Sequence, residues 1–401
     1  MTCQAGTKKR MIKILISGGG SGGHIYPALA VATMLAKEYE ADILYLGSDD
    51  GLENEIIPAA GFRFEMIKAG KLRRYVSWQT LTGVARVPVG MAQAVSIVRK
   101  FRPAAAFTSG GYVAVPAGLA ARLNGVPLLM HQQDVPPNLS NKLLAPLASR
   151  ISVAFADSLR YFPQRKTLQL GNPLRQEMLD ARDIRPEQAR QRLGFMAEIP
   201  LVLVTGGSQG ARHLNQVASQ ALPQLFQHCQ VLQISGKQLY EETRALAEES
   251  LQGLDEDVRQ RYRLVPYLNE EMPIALQAAE LVVCRSGAAT LSELAVLGKP
   301  SVLVPLPPAI GNSPQEANAA MFERQQAALV IRDADVKPGL LVNRVISVLT
   351  SDAQRASMAV AARTFAMPEA TRAIAATVLK MAGASQHSNN SRGVGLPRPL
   401  F

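Results

Sequence analysis

A histidine stands directly beyond a run of glycines in Gly18-Gly19-Gly20-Ser21-Gly22-Gly23-His24. Glycines between a strand and a helix let backbone N–H groups approach a phosphate, and the helix dipole favours the anion. At the mouth of such a turn His24 could contact the anion or take a proton from an attacking hydroxyl. The plain alternative is close helix–strand packing with a structural histidine. The spacing is not a clean G-x-G-x-x-G with an acidic residue closing the next strand. No Gly-Lys-Ser/Thr follows, which excludes a P-loop. A second turn, Gly206-Gly207-Ser208-Gln209-Gly210, has the same character, and Ser208 aligns on Ser21.

Cys284-Arg285-Ser286-Gly287 leads into Ala288, Ala289, Thr290, Leu291, Ser292 and Glu293. A strand ending at Cys284 and a helix opening near Ala288 place free N–H donors at a carboxyl-end crevice, where α/β sheets bind ligands. Glu293, one turn inside, could accept two hydroxyl hydrogens from a ribose, or simply pair with the helix dipole. Gln315 and Asn318, three apart, share a helix face and could read sugar hydroxyls as donor and acceptor; as surface polar residues they would do nothing. His131-Gln132-Gln133-Asp134 follows a strand and ends in a Pro-Pro turn, another place for ligand contacts. Asp134 could equally cap a helix beginning near Leu139.

These groups need a scaffold, and its periodicity is legible. Buried-strand patterns fall at 11–17, 43–46, 104–108, 127–131 and 151–155, with amphipathic helices between them, which argues for parallel βαβ units. The pattern restarts at 201–205 and continues through 230–234, 263–265, 281–284 and 301–305. The repeat predicts an α/β protein of two doubly wound, Rossmann-like domains facing across a cleft, rather than one large sheet. The linker is placed near 164–173, giving a first domain over 1–168 and a second over 169–384. A helical pattern over 355–381, broken at Pro368, closes the second domain. The tail 385–401, rich in Ser, Asn, Gly and Pro, reads as disordered.

A chain of 401 residues with 47% hydrophobic and 19% charged residues is not a disordered one. Three dispersed cysteines exclude a disulfide scaffold and fit a reducing compartment. The histidines and cysteines show no metal-ligand spacing, so no metal and no other cofactor is expected. Lys8-Lys9-Arg10 and the apolar residues after it imitate a signal peptide, but the run stops at Gly18. No stretch nears the roughly 20 apolar residues that span a bilayer. A net charge of +11 points to an anionic partner: nucleic acid, membrane surface or phosphorylated substrate. The densest basic stretch, Lys68-Ala69-Gly70-Lys71-Leu72-Arg73-Arg74-Tyr75-Val76-Ser77-Trp78, adjoins apolar residues and suits an anionic membrane surface or a solvated loop. One Tyr and one Trp are few for stacking nucleic-acid bases.

Together these segments, with Gly110-Gly111-Tyr112, Gly171-Asn172-Pro173-Leu174-Arg175 and Ala211-Arg212, resemble in order the MurG family of bacterial cell-wall N-acetylglucosaminyltransferases (glycosyltransferase family 28), which convert lipid I to lipid II. The resemblance spans residues 11 to about 380. It implies a glycosyltransferase-B (GT-B) fold with no bound metal, the acceptor domain first and the UDP-GlcNAc domain second. On it, Ser208 and the helix start at Ala288, Ala289, Thr290 and Leu291 hold the pyrophosphate, with Ser292 beside them. Glu293 takes the ribose, the Leu268 backbone the uracil, and Arg175 faces the nucleotide. Gln315 and Asn318 bind the GlcNAc hydroxyls, while Ser21, Gly22 and Gly23 complete the cleft; Asp134, where this chain departs from the family, is a further substrate contact and the second candidate for the base after His24. His24 takes the place of the base. The partners implied are UDP-GlcNAc, undecaprenyl-linked lipid I and the anionic inner-membrane surface, with no nucleic acid. The enzyme would sit peripherally on the cytoplasmic face and serve peptidoglycan synthesis, and so cell shape and division. Two features depart from the family pattern. His-Glu-Gln-Asn is replaced by His131-Gln132-Gln133-Asp134, and the sugar loop is Pro307-Pro308-Ala309-Ile310-Gly311-Asn312-Ser313-Pro314. The competing readings are a UDP-GlcNAc 2-epimerase, a transferase acting on another lipid, a dinucleotide redox enzyme, and a nucleic-acid-binding protein motivated by charge alone.

Overall fold

Short runs of Ile, Leu, Val and Ala, each followed by a turn and a helix, form two all-parallel sheets. The computed structural model describes residues 11–69, 78–307 and 314–383, with backbone alone for 78–87. Most of the basic stretch after Lys68, the interior of the Pro307 to Pro314 loop, and the tail lie outside the described residues.

The first sheet holds β1 (Lys13–Ser17), β2 (Asp42–Ser48), β3 (Arg63–Ile67), β4 (Ala105–Thr108), β5 (Leu128–Gln132), β6 (Arg150–Val153) and β7 (Thr167–Gln169), ordered β3-β2-β1-β4-β5-β6-β7. The second holds β8 (Leu201–Thr205), β9 (Gln230–Ile234), β10 (Tyr262–Val265), β11 (Leu281–Cys284), β12 (Ser301–Leu303) and β13 (Ala328–Val330), ordered β10-β9-β8-β11-β12-β13. Both orders run outward from a first strand and then reverse. The crevice at that reversal, between β1 and β4 and between β8 and β11, is where open α/β sheets take ligands. Central strands are apolar on both faces because helices cover both: Ile14, Leu15 and Ile16 are all buried.

The division between the halves differs from the expected one. Residue 168 falls inside β7, which pairs with β6 of the first sheet. The last helix, Ala370–Met381, does not pack on the second sheet. Its Ile374, Ala375, Val378 and Leu379 bury against Ile14, Ile25, Val31 and Leu35 of the first domain. The chain therefore crosses after β7 and crosses back before Ala370. The two crossings are stapled together: the Leu174 N–H donates to Thr371 Oγ1 at 3.1 Å, and that hydroxyl donates to the Leu174 carbonyl at 2.9 Å. Beside this hinge an aromatic cluster joins the halves. Phe155 of the first packs edge-on against Phe322 and Phe365 of the second, which stack with centroids 4.3 Å apart.

Candidate active site at the interdomain cleft

β1 delivers the first glycine turn to the crevice, and the helix Gly22–Tyr39 starts there with Ser21 as its N-cap in extended backbone. The Ser21 carbonyl accepts the His24 and Ile25 N–H groups, so its hydroxyl is not used in capping. His24, one turn in, lies against the loop after β4. Its Nδ1 is 3.0 Å from the Ser109 carbonyl, which also accepts Gln133 Nε2 at 2.9 Å. Gln133 Nε2 also stands 3.0 Å from His24 Nδ1, so this nitrogen meets both an acceptor and a donor; in the tautomer that donates to the Ser109 carbonyl, Nε2 keeps its lone pair. Burial holds the His24 pKa below the ordinary imidazole value, opposed by the negative charge of Asp134 and the Ser109 carbonyl. A neutral imidazole with one ring nitrogen free to accept is the form a general base requires.

His131, by contrast, is structural. It is buried in β5, accepts from Ser152 through Nδ1 at 2.9 Å and donates through Nε2 to Asn172 Oδ1 at 3.1 Å. Burial pushes its pKa to about 4. Gln132 donates to the Asp134 carbonyl and accepts from Asn141, an arrangement that uses both ends of an amide. Asp134 does not cap the helix Leu139–Leu144. Asn138 does so, its side chain accepting the Asn141 N–H at 2.9 Å.

In the second domain the turn after β8 brings Ser208 opposite the first glycine turn; a Cβ added at Gly22 would stand 3.7 Å from Ser208 Oγ. The duplicated turns thus face each other. The helix Ala288–Leu297 opens from an extended Gly287 with no side-chain cap. Its Leu291 N–H already bonds to the Gly287 carbonyl, so Ala288, Ala289 and Thr290 supply the outward donors. Ser292 turns back to donate to the Ala288 carbonyl at 2.8 Å. Burial pushes the Glu293 carboxyl up to about 7 from an ordinary 4.5, with the Arg175 charge acting in the opposite sense.

Arg175 donates to the side chain and carbonyl of Asn269 and lies 5.0 Å over the ring of Tyr26. Tyr26 comes from the first domain, two residues beyond His24. Its hydroxyl is 2.8 Å from that of Tyr267 and donates to Asn269 Oδ1 at 3.2 Å. Leu268 sits between these two partners, half-buried. Tyr26, Tyr267 and Asn269 were not among the site residues expected from the sequence. A Tyr carries no signal until the fold shows that it crosses a cleft.

The amides of the helix Gln315–Arg324 are engaged with protein. Gln315 Oε1 accepts the Leu306 N–H at 3.0 Å. Asn318 is buried and reaches into the first domain: Nδ2 donates to Asp134 Oδ1 at 2.8 Å and to the Ser286 carbonyl at 3.0 Å, while Oδ1 accepts the Val135 N–H at 2.8 Å. Asn318 and Asp134 therefore form one interdomain contact. In this conformation both ends of the Asn318 amide are taken by protein, while Gln315 is held through its oxygen. Arg285 braces the same region, donating to the Val304 and Pro305 carbonyls and to Asp333. No cluster of three or more potential metal ligands occurs among the described residues.

Two doubly wound domains, each presenting a glycine turn and an uncapped helix start to a shared cleft, define a GT-B architecture. The model of the glycosyltransferase family 28 N-terminal domain matches residues 14–153, and that of its C-terminal domain residues 201–374. A UDP-N-acetylglucosamine--N-acetylmuramyl-(pentapeptide) pyrophosphoryl-undecaprenol N-acetylglucosamine transferase from Caldanaerobacter subterraneus subsp. tengcongensis is 38% identical over 336 residues, 83% of this chain and 90% of its own. A protein of the same name from Desulforudis audaxviator is 38% identical over 378 residues, 93% of this chain and 99% of its own. The crystal structure of Acinetobacter baumannii MurG superposes with a TM-score of 0.68 at 27% identity, covering 92% of this chain and 99% of that one. The chain belongs to glycosyltransferase family 28 and, within it, to the family of these N-acetylglucosamine transferases.

Proposed function

We propose that the protein transfers N-acetylglucosamine from UDP-GlcNAc to the C4 hydroxyl of the muramoyl sugar of lipid I, giving lipid II. The observation that carries this reading is the cleft itself, with a neutral His24 on one side and the uncapped start of Ala288–Leu297 on the other. The donor occupies the second domain: uracil on the Leu268 backbone, ribose on Glu293, diphosphate on Ser208 and the amides of Ala288 to Thr290. His24 Nε2 removes the hydroxyl proton as the oxygen attacks the anomeric carbon from the face opposite the leaving UDP, so the configuration inverts. Negative charge growing on UDP is stabilised by amides already oriented before reaction. Asp134, buried near His24, favours the imidazolium that results.

GlcNAc recognition by Gln315 and Asn318 requires Asn318 to exchange its protein partners for sugar hydroxyls, a change that opens its contact with Asp134. Tyr26 of the first domain meets Arg175 of the second to close the nucleoside end. The enzyme works peripherally at the cytoplasmic membrane face, where its lipid-linked acceptor lies. Exposed Leu139 and Leu143 beside Lys142, near the acceptor side, support an apolar and cationic docking face. No described helix is long and apolar enough to cross a membrane.

The test uses UDP-GlcNAc radiolabelled in the sugar and a short-chain lipid I analogue. Label in a lipid disaccharide supports the proposal. Label remaining with UDP, released as free sugar, or epimerised without acceptor contradicts it.

A further inference from the structure

The two glycine turns are alike in sequence but not in what fills them. In the first domain, Glu53 is fully buried, yet it is not in the cleft. Its carboxylate accepts the Gly20 N–H at 3.1 Å, the Ser48 N–H at 3.1 Å and the Ser48 hydroxyl at 2.7 Å. Three glycines make room for it. A Cβ at Gly19 or Gly51 would fall on the carboxylate, and one at Gly47 would press on its Cγ. Ser48 Oγ lies 2.6 Å from the Tyr112 hydroxyl, which donates to Asp50 at 2.7 Å. The Tyr112 ring packs beside Gly20. One buried carboxylate thus ties together the loops after β1, β2 and β4.

In the second domain the corresponding space is closed by backbone: Gly210 packs on Ser235 and Gly236 of the loop after β9. That loop continues into Lys237, whose ammonium lies 5.5 Å over the Tyr267 ring. The first turn already holds an anion, the protein's own, whereas the second packs on the backbone of the loop after β9.

We infer that Glu53 is a positioning residue, an internal anion that sets the first glycine turn and, through it, His24 against the Ser109 carbonyl. Its functional part rests on the proposed transfer reaction. A buried carboxylate accepting backbone N–H groups is strongly held, and removing its charge leaves those donors poorly paired. Glu53 touches neither substrate nor reacting atoms, so its loss acts on the rate through the geometry of His24 and leaves the donor site in the second domain intact.

The experiment is Glu53→Gln with two readouts. In hydrogen–deuterium exchange, the segment 18–24 exchanges faster by about tenfold or more, because the Gly20 amide loses a charged acceptor, while 203–212 is unchanged. In transfer assays kcat falls by about ten- to a hundredfold, with the KM for UDP-GlcNAc within about twofold of wild type. Glu53→Asp keeps the charge but retracts it by one methylene; it shows the same pattern at smaller amplitude and carries the test should the glutamine variant fail to fold. Unchanged exchange in 18–24, or kcat and UDP-GlcNAc affinity lost together, overturns the inference. Failure of the proposed reaction would appear instead as wild-type protein without transfer, and the exchange readout would still decide the role of Glu53.

Discussion

Lowering the pH from 8 to 6 weakens UDP-GlcNAc binding by about tenfold if Glu293 holds the ribose as a carboxylate. Burial raises this carboxyl to about 7, so the ligand-free protein is partly protonated at neutral pH. A pKa of that size leaves about 90% of the free protein ionised at pH 8 and about 10% at pH 6. Only the ionised form accepts two hydroxyl hydrogens, and the fall in its population appears directly in the apparent affinity. The diphosphate diester of UDP-GlcNAc does not titrate in this range, so the ligand adds no slope of its own. Calorimetric titration at pH 6, 7 and 8 is the assay. Glu293→Gln binds about ten- to a hundredfold more weakly at pH 8, the worth of hydrogen bonds to a charged acceptor, and shows no pH slope. Without ligand the same shift has the opposite sign for folding. The folded chain keeps a proton that the unfolded chain releases, so stability falls as pH rises from 4.5 to about 7. A flat wild-type affinity, or a parallel slope in the glutamine variant, refutes the assignment.

Replacing His24 by Ala lowers kcat by about a hundred- to ten-thousandfold while calorimetry finds UDP-GlcNAc affinity unchanged. In wild type the acid limb of log kcat against pH lies below the ordinary imidazole range, because burial favours neutral His24. Asp134→Asn moves that limb to still lower pH, since the lost charge was raising the imidazole pKa; a pH–rate profile with an unmoved limb counts against the pairing. Ile374→Ala in the closing helix costs about 2–5 kcal/mol, measured by denaturant unfolding, and the loss falls on the first domain. Tyr26→Phe raises the KM for UDP-GlcNAc several-fold with little effect on kcat, as the first domain loses its hydroxyl contact with Tyr267 and Asn269.

The central strands were legible because they are buried on both faces. β8, β9 and β11 fall where their apolar runs predict. The strands not anticipated, β3, β7 and β13, are all sheet edges. Each has partly exposed positions, so no continuous apolar run marks it, and β7 and β13 have only three residues each. The closing helix had a readable apolar stripe, but a stripe does not name the face it will cover. At the site, the glycine turns, His24 and the uncapped start at Ala288 were visible as local chemistry. Asn318 was read as a free amide because its partner Asp134 lies 184 positions away in the chain. Glu53 carried no motif; only the fold shows three glycines arranged around it.

The central claim is tested most directly by a crystal structure with UDP-GlcNAc bound. The uracil should lie on the Leu268 backbone, the diphosphate on Ser208 and the amides of Ala288 to Thr290, and the anomeric carbon should face His24. A diphosphate seated in the first glycine turn, where Glu53 already supplies the negative charge, would contradict the account.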